Sequence, residues 1–192
     1  MARRQAWKTH LGTALFAAAL STQALAADPV LSFSVSTPSP AVAGSPVALD
    51  VLIAGIDGLY GYQFSIAFDP SILQATSVTE GAFLASGGTT FFSGGMVDNT
   101  SGTISGIFDT LIGPVPGVSG SGVLAHLVFN TIGAGSSALT FSDTGFVNAA
   151  LADIPLQVSN GSVSAVPEPA SYALLGLGLA GIAAVSRRRQ PA

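Results

Sequence analysis

His126 is the only histidine beyond His10, no cysteine is present, and no lysine or arginine lies between Thr9 and Ser186. Nucleophilic catalysis would have to run through a serine activated by that one imidazole, with a carboxylate behind it. No G-x-S-x-G elbow frames such a serine. The run Val123 to Phe129 alternates, so Ala125, Leu127 and Phe129 share a core-facing side while Leu124, His126 and Val128 take the other. His126 therefore reads as a partly exposed residue on a sheet face. Glycoside hydrolysis would need two carboxyls held about 5–10 Å apart across a cleft. Glu80, Asp57, Asp69, Asp98, Asp109, Asp143 and Asp153 instead lie mostly beside Gly, Pro, Asn or Thr, as acids that form turns do. No catalytic residue is assigned.

Calcium suits clustered loop oxygens, and Asp98 with Asn99, or Asp143 with Asn148, could contribute some. EF-hand spacing is absent, so no metal ligand is named and no cofactor assigned. A sugar-binding face would need flat, exposed aromatic rings. The sole tryptophan, Trp7, belongs to the leader described below. Tyr60 and Tyr62 remain, and Tyr62 keeps period two with Phe64, Ile66 and Phe68, which points it into a core. Phe91 and Phe92 are neighbours on a strand and so take opposite faces, one buried and one half-covered.

These residues sit on a chain of strands and turns. Val30 to Ser36 alternates apolar and polar, Val47 to Ile56 does so partly, and Gly61 to Phe68 does so clearly. Asp69-Pro70-Ser71 is a turn. Ile72 to Val78, Thr103 to Leu111, Gly122 to Thr131, Ala138 to Ser142 and Ile154 to Val163 supply further strands. Only Gly81 to Ser86 looks like a helical turn. Short strands spaced by Gly, Asn, Asp and Pro predict an all-β antiparallel sandwich of one domain.

All six basic residues lie at the ends: Arg3, Arg4 and Lys8, then Arg187, Arg188 and Arg189. The interval between them holds all ten acidic residues, from Asp28 to Glu168. Such a domain is repelled by phosphate backbones, which excludes nucleic acid as a partner. At the front, a basic stretch to His10, an apolar run from Leu11 to Leu20 and the small-x-small triplet Ala24-Leu25-Ala26 make a secretion signal cleaved after Ala26. The apolar run is too short to span ~30 Å of hydrocarbon. At the back, Val166-Pro167-Glu168-Pro169 precedes an apolar run from Tyr172 to Val185 and the arginine cluster Arg187, Arg188 and Arg189. Fourteen apolar residues give roughly 21 Å of helix, a marginal transmembrane span, with the arginines held cytoplasmic. Gly176-Leu177-Gly178-Leu179-Ala180-Gly181 spells G-x-G-x-x-G, but it lacks the βαβ context of a dinucleotide site.

The tail resembles the PEP-CTERM sorting signal, in which Pro-Glu-Pro precedes a transmembrane segment and an arginine-rich end. The resemblance implies processing near Pro167-Glu168-Pro169 by exosortase, a membrane-embedded enzyme of Gram-negative bacteria that make exopolysaccharide. In the middle, Gly61 to Leu73 (GYQFSIAFDPSIL), Gly122 to Phe129 (GVLAHLVF) and Leu139 to Asn148 (LTFSDTGFVN) resemble cohesin domains, in order, over roughly Val30 to Val163. That resemblance implies a nine-stranded jelly roll that binds another protein, in cohesins the dockerin, through one exposed sheet face.

The expected organisation is a signal peptide over residues 1–26 with Ala24 and Ala26 at the signal-peptidase site, a cohesin-like β-sandwich over 27–165, and a sorting signal with a short transmembrane segment over 166–192. The expected function is a non-enzymatic, exported binding module at the cell surface or in the extracellular matrix. Signal peptidase, exosortase and, transiently, the inner membrane are its processing partners. A protein, or alternatively an exopolysaccharide, is its ligand.

Overall fold

The computed structural model describes residues 28–36, 40–167 and 171–188. Eleven strands and two helices follow in order: β1 Val30–Val35, β2 Ala41–Val42, β3 Pro46–Ala67, β4 Leu73–Glu80, α1 Ala82–Ala85, β5 Thr90–Ser93, β6 Met96–Asp98, β7 Thr103–Leu111, β8 Val118–Thr131, β9 Gly135–Asn148, β10 Gln157–Ser159, β11 Gly161–Val166 and α2 Ser171–Arg188. The all-β sandwich expected from the alternation is present. Three short strands, β2, β5 and β6, raise the count above nine, and the predicted Ile154–Val163 strand divides into β10 and β11. Two pairings are parallel, β1 with β10 and β11 with β2; the other ladders are antiparallel.

The two predicted strands Val47–Ile56 and Gly61–Phe68 are one, and that fusion organises the sandwich. The first half of β3 lies between β1 and β8, and β8 continues outward to β4. The second half lies between β7 and β9, with β5 and β6 beyond β7 and β11 beyond the start of β9. The strand changes sheets where its register against β8 slips, between Ile53 and Ile56 and again between Ile56 and Leu59. Gly55 and Gly58 stand there at φ of 71° and 66°, a conformation that costs a residue with a Cβ but not glycine. Amides that lose their ladder partners in the slip are taken up by β8 side chains: Gly55 N donates to Ser121 Oγ at 2.9 Å and Gly58 N to Ser119 Oγ at 2.8 Å. Each displaced amide is thereby satisfied.

The core fills the space between the sheets with Leu31, Leu49, Val51 and Ile53 from one side and Phe64, Ile66, Ile104 and Ile107 from the other, each at most 1% exposed. Tyr62, Phe64, Ile66 and Phe68 share that face as their period predicts. Leu124 departs from its predicted place and is fully buried beside Ala125. The β3–β8 register shifts between Val51 and Leu52, whose partners are Ala125 and Val123. Leu124 is the extra residue of that bulge, and its carbonyl accepts both the Tyr62 hydroxyl at 2.6 Å and the Gly81 amide at 2.9 Å.

Between Phe68 and Leu73 the Asp-Pro-Ser turn is built as expected. Asp69 Oδ1 accepts the Ser71 amide at 2.9 Å and the Ser71 hydroxyl at 2.6 Å. The hydroxyl first and the amide second hold the Asp69 carboxylate below its usual range.

The last strand, β11, runs to Val166, where Val166 O accepts the Ala43 amide at 2.8 Å. The sandwich therefore closes three residues later than the Val163 boundary read from alternation. Beyond it, α2 forms across the expected apolar tail, but its 18 residues include Arg187 and Arg188. Among the described residues no helix, α2 included, is long and apolar enough to cross a membrane. Gly176, Gly178 and Gly181 dilute its hydropathy, and the apolar stretch ends about 9 Å short of the hydrocarbon thickness.

Candidate functional site

An open depression of about 380 Å³ crosses the outer face of the sheet made by β7, the second half of β3 and β9. Strand alternation dictates its lining. Tyr62 and Asp109 are cross-strand partners turned inward, so their neighbours Gly61, Gln63, Phe108 and Thr110 turn outward. From β9, Gly145 and Val147 join them opposite Gln63 and Gly61. The floor is low because Gly61 and Gly145 have no side chains. A methyl group on Gly61 would come within 3.2 Å of Thr110 Oγ1, and one on Gly145 within 3.3 Å of Gln63 Cγ.

Phe91 stands on the same face at the edge strand β5, opposite Thr110, and is 58% exposed. Its ring lies 5.8 Å from that of Phe108, tilted by 45°. Phe92 takes the inner side and packs on the core. The pair therefore divides between faces as predicted, though the outer ring is more open than half-covered. Met96, 75% exposed, adds a flexible apolar group on β6. A flat, partly apolar sheet face with two adjacent rings is a surface for contact, with the rings as anchors.

His126 lies on the outer face of the other sheet, exposed as expected. Its Nδ1 is 2.7 Å from Asp50 Oδ1, and the two residues are cross-strand partners. Ser36 Oγ donates to Asp50 Oδ2 at 3.0 Å rather than to the imidazole. Among the described residues no hydroxyl bonds to the ring, so the order required of a nucleophile, base and orienting acid is not formed.

Two of the remaining acids are held by hydrogen bonds of their own. Asp98 Oδ1 accepts the amides of Thr100 at 2.8 Å and Ser101 at 3.2 Å, and Asp57 accepts the Ser119 hydroxyl at 2.5 Å. Asp98 shapes a turn, as predicted, whereas Asp57 lies within β3 and bonds across to β8, which corrects its reading as a turn residue. Asn99 spends its amide group on Ala75, accepting its N–H at 2.8 Å and donating to its carbonyl at 3.0 Å. Asn148 Oδ1 accepts the amides of Ala150 and Ala152. The oxygens considered for calcium thus mostly serve their own backbone, and among the described residues no three His, Cys, Asp or Glu converge on a metal position.

Asp109 is bonded in neither way, and its place in β7 corrects the reading of it as a turn residue. It is in the middle of β7, 1% exposed, and neither carboxylate oxygen has a hydrogen-bond partner. Sequence alternation could have found it: Ile107, Asp109 and Leu111 are all inward, and a carboxyl in that series is out of keeping with its neighbours.

Of the processing residues, Pro167 follows β11 and is exposed, while Arg187 and Arg188 end α2. Ala24, Ala26, Glu168, Pro169 and Arg189 lie outside the described residues, as does Trp7.

The family model for the cohesin domain matches residues 31–165. The model for the PEP-CTERM protein-sorting motif matches residues 165–189. No curated protein matches the chain. Among solved structures, a non-cellulosomal cohesin from the hyperthermophilic archaeon Archaeoglobus fulgidus is 17% identical, covering 76% of this chain and 96% of that one with a TM-score of 0.58. A chain from a type II cohesin-X-dockerin complex of Acetivibrio cellulolyticus is 16% identical over 72% of this chain and 100% of that one, with a TM-score of 0.60. A chain from a type I cohesin-dockerin complex of Clostridium thermocellum is 13% identical over 73% and 100%, again with a TM-score of 0.60. At these identities the likeness to the solved structures is one of fold.

Proposed function

Because the chain belongs to the cohesin domain family and ends in a PEP-CTERM sorting motif, we propose that it is a non-enzymatic binding module, exported to the cell surface, whose ligand is a protein. The observation that carries the reading is the outer face of β5, β7, β3 and β9, where Phe108 lines an open depression floored by two glycines and the exposed Phe91 ring stands beside it. Charge narrows the partner. With no lysine or arginine between Thr9 and Ser186, the domain's field is negative throughout, and a basic surface on the partner answers it.

Export rests on the two ends. Residues 1–26 act as a leader cleaved after Ala26, with Ala24 and Ala26 read by signal peptidase. Pro167, Glu168 and Pro169 mark where exosortase acts, while Arg187, Arg188 and Arg189 hold the tail on the cytoplasmic side during sorting. A second reading, exopolysaccharide binding, is favoured by the same exposed Phe91 ring, since a flat aromatic face can stack on a pyranose.

Replacing Phe91 with Ala should weaken protein binding by roughly 30-fold or more, the loss of one anchor worth about 2 kcal/mol, and leave folding stability within about 0.5 kcal/mol. The measurement is capture of proteins from culture supernatant on immobilised exported protein, followed by titration of the captured partner at rising salt against both forms. Affinity that is unchanged by the substitution would remove the proposed face. Binding to a glycan array, with no protein retained, would establish the polysaccharide reading instead.

A further inference from the structure

We propose that Asp109 and Glu80 form a proton-operated latch between the two sheets, closed when the pair shares a proton and strained when both are ionised. Glu80 ends β4 in one sheet, opposite Ala125 of β8. Its carboxylate reaches across to the other sheet, where Oε1 accepts the Thr90 hydroxyl at 2.5 Å. Thr90 opens β5, and on β5 and β7 the inward cross-strand pairs are Thr90 with Leu111 and Phe92 with Asp109. Asp109 thus sits one step along the same inner face from the residue that holds Glu80.

Asp109 is 1% exposed with both carboxylate oxygens unpartnered. An isolated buried carboxylate is costly. Nothing in the folded domain can supply a counter-charge, because it contains no lysine or arginine and its single histidine faces outward against Asp50. The groups facing Asp109 that can titrate are Glu80 from β4 and Tyr62 from β3. β5 and α1 contribute none. Tyr62 gives its hydroxyl to Leu124 O at 2.6 Å, and burial first, then the negative charges of Asp109 and Glu80, push its own ionisation further up. A proton is therefore the neutralising species available, and a protonated Asp109 has Glu80 facing it as acceptor.

Burial, and next the charge of Glu80, push Asp109 up from the ordinary 3.8 to about 6. In the unfolded chain it releases its proton near 3.8. Folding consequently takes up a proton between these values, so this site's contribution to stability is full below about pH 4, falls as pH rises, and is lost above about 6. The full shift corresponds to roughly a hundredfold in the folded-to-unfolded ratio.

The test is urea unfolding of the exported protein from pH 4 to 7.5, for wild type and Asp109→Asn, both in a His126→Asn background that removes the domain's imidazole. The Asn variant should gain on wild type as pH rises, by tens-fold to a hundredfold across the range. A wild-type-to-variant ratio that stays constant with pH overturns the latch. Should Asp109→Asn fail to fold, carbon-13 NMR titration of the Asp109 carboxyl in wild type decides: a midpoint near 6 that falls in Glu80→Gln supports it, and a midpoint at about 4, or one unmoved by Glu80→Gln, overturns it.

Discussion

Phe64→Ala should destabilise the sandwich by about 3–5 kcal/mol, the range for removing a buried phenyl ring and leaving a cavity. For a domain of about 140 residues that is on the order of 10–20 °C in Tm. The size follows from where β3 carries the ring. Phe64 lies in the half of β3 held between β7 and β9, is fully buried, and has Tyr62 stacked at 5.7 Å and Phe141 edge-on at 5.6 Å. None of these neighbours can move inward freely. Tyr62 is tethered by its hydroxyl to Leu124 O, and Phe141 is stacked at 4.0 Å on Phe33. A site that cannot collapse falls at the upper end of the range. Phe91, on the outside of the same sheet, supplies the contrast: its removal leaves no cavity. Thermal or urea unfolding of the two variants checks both values, and a loss below about 1.5 kcal/mol for Phe64→Ala would mean that the two sheets pack more loosely around β3 than these distances imply.

The fold was legible where a single physical rule governed. Period-two alternation located Tyr62, Phe64, Ile66 and Phe68 on one buried face because a half-buried strand has no other way to satisfy both sides. It failed where geometry interrupts the period. Gly55 and Gly58 looked like breaks between two strands, whereas their freedom at positive φ lets one strand bend from sheet to sheet without ending. Leu124 was placed outward because a bulge has no signature in composition, and one extra residue reverses every face that follows it. The short strands β2 and β6 escape the sequence because two or three residues are too few to show a period. The proposed docking face was half legible. The opposite orientations of Phe91 and Phe92 could be foreseen, but not that Phe91 would stand beside a depression, since that depends on Gly61 and Gly145 arriving from strands 84 positions apart. Asp109 reads as a turn residue because acids beside threonine usually lie in turns, although its alternation with Ile107 and Leu111 already sets it on the inward face of β7.

Deleting residues 168–192 should abolish delivery to the cell surface while leaving the Tm of the sandwich unchanged. The two halves of that expectation have separate causes. Stability is indifferent because β11 is complete at Val166: Ala165 and Val166 pair with Ala41 and Val42, and Ala165 is buried at 4% exposure. A cut placed at Val163, where alternation alone would end the domain, removes those pairs and should lower Tm. Delivery is sensitive because α2 contributes nothing to the core. Leu174, Leu175, Leu177, Leu179 and Ile182 remain 60–71% exposed, an apolar load that a finished extracellular protein would be expected to shed. The PEP-CTERM sorting motif that spans α2 is the ground for proposing that it acts as a transient tag. Intact-mass measurement of the wild-type protein reads the outcome directly. The surface form should begin after Ala26 and end near Pro167-Glu168-Pro169, and the deletion should accumulate as a folded protein that never reaches the surface. A surface form whose mass runs through Arg189 would sink the processing step, and surface delivery that survives the deletion would show that export is directed from elsewhere in the chain.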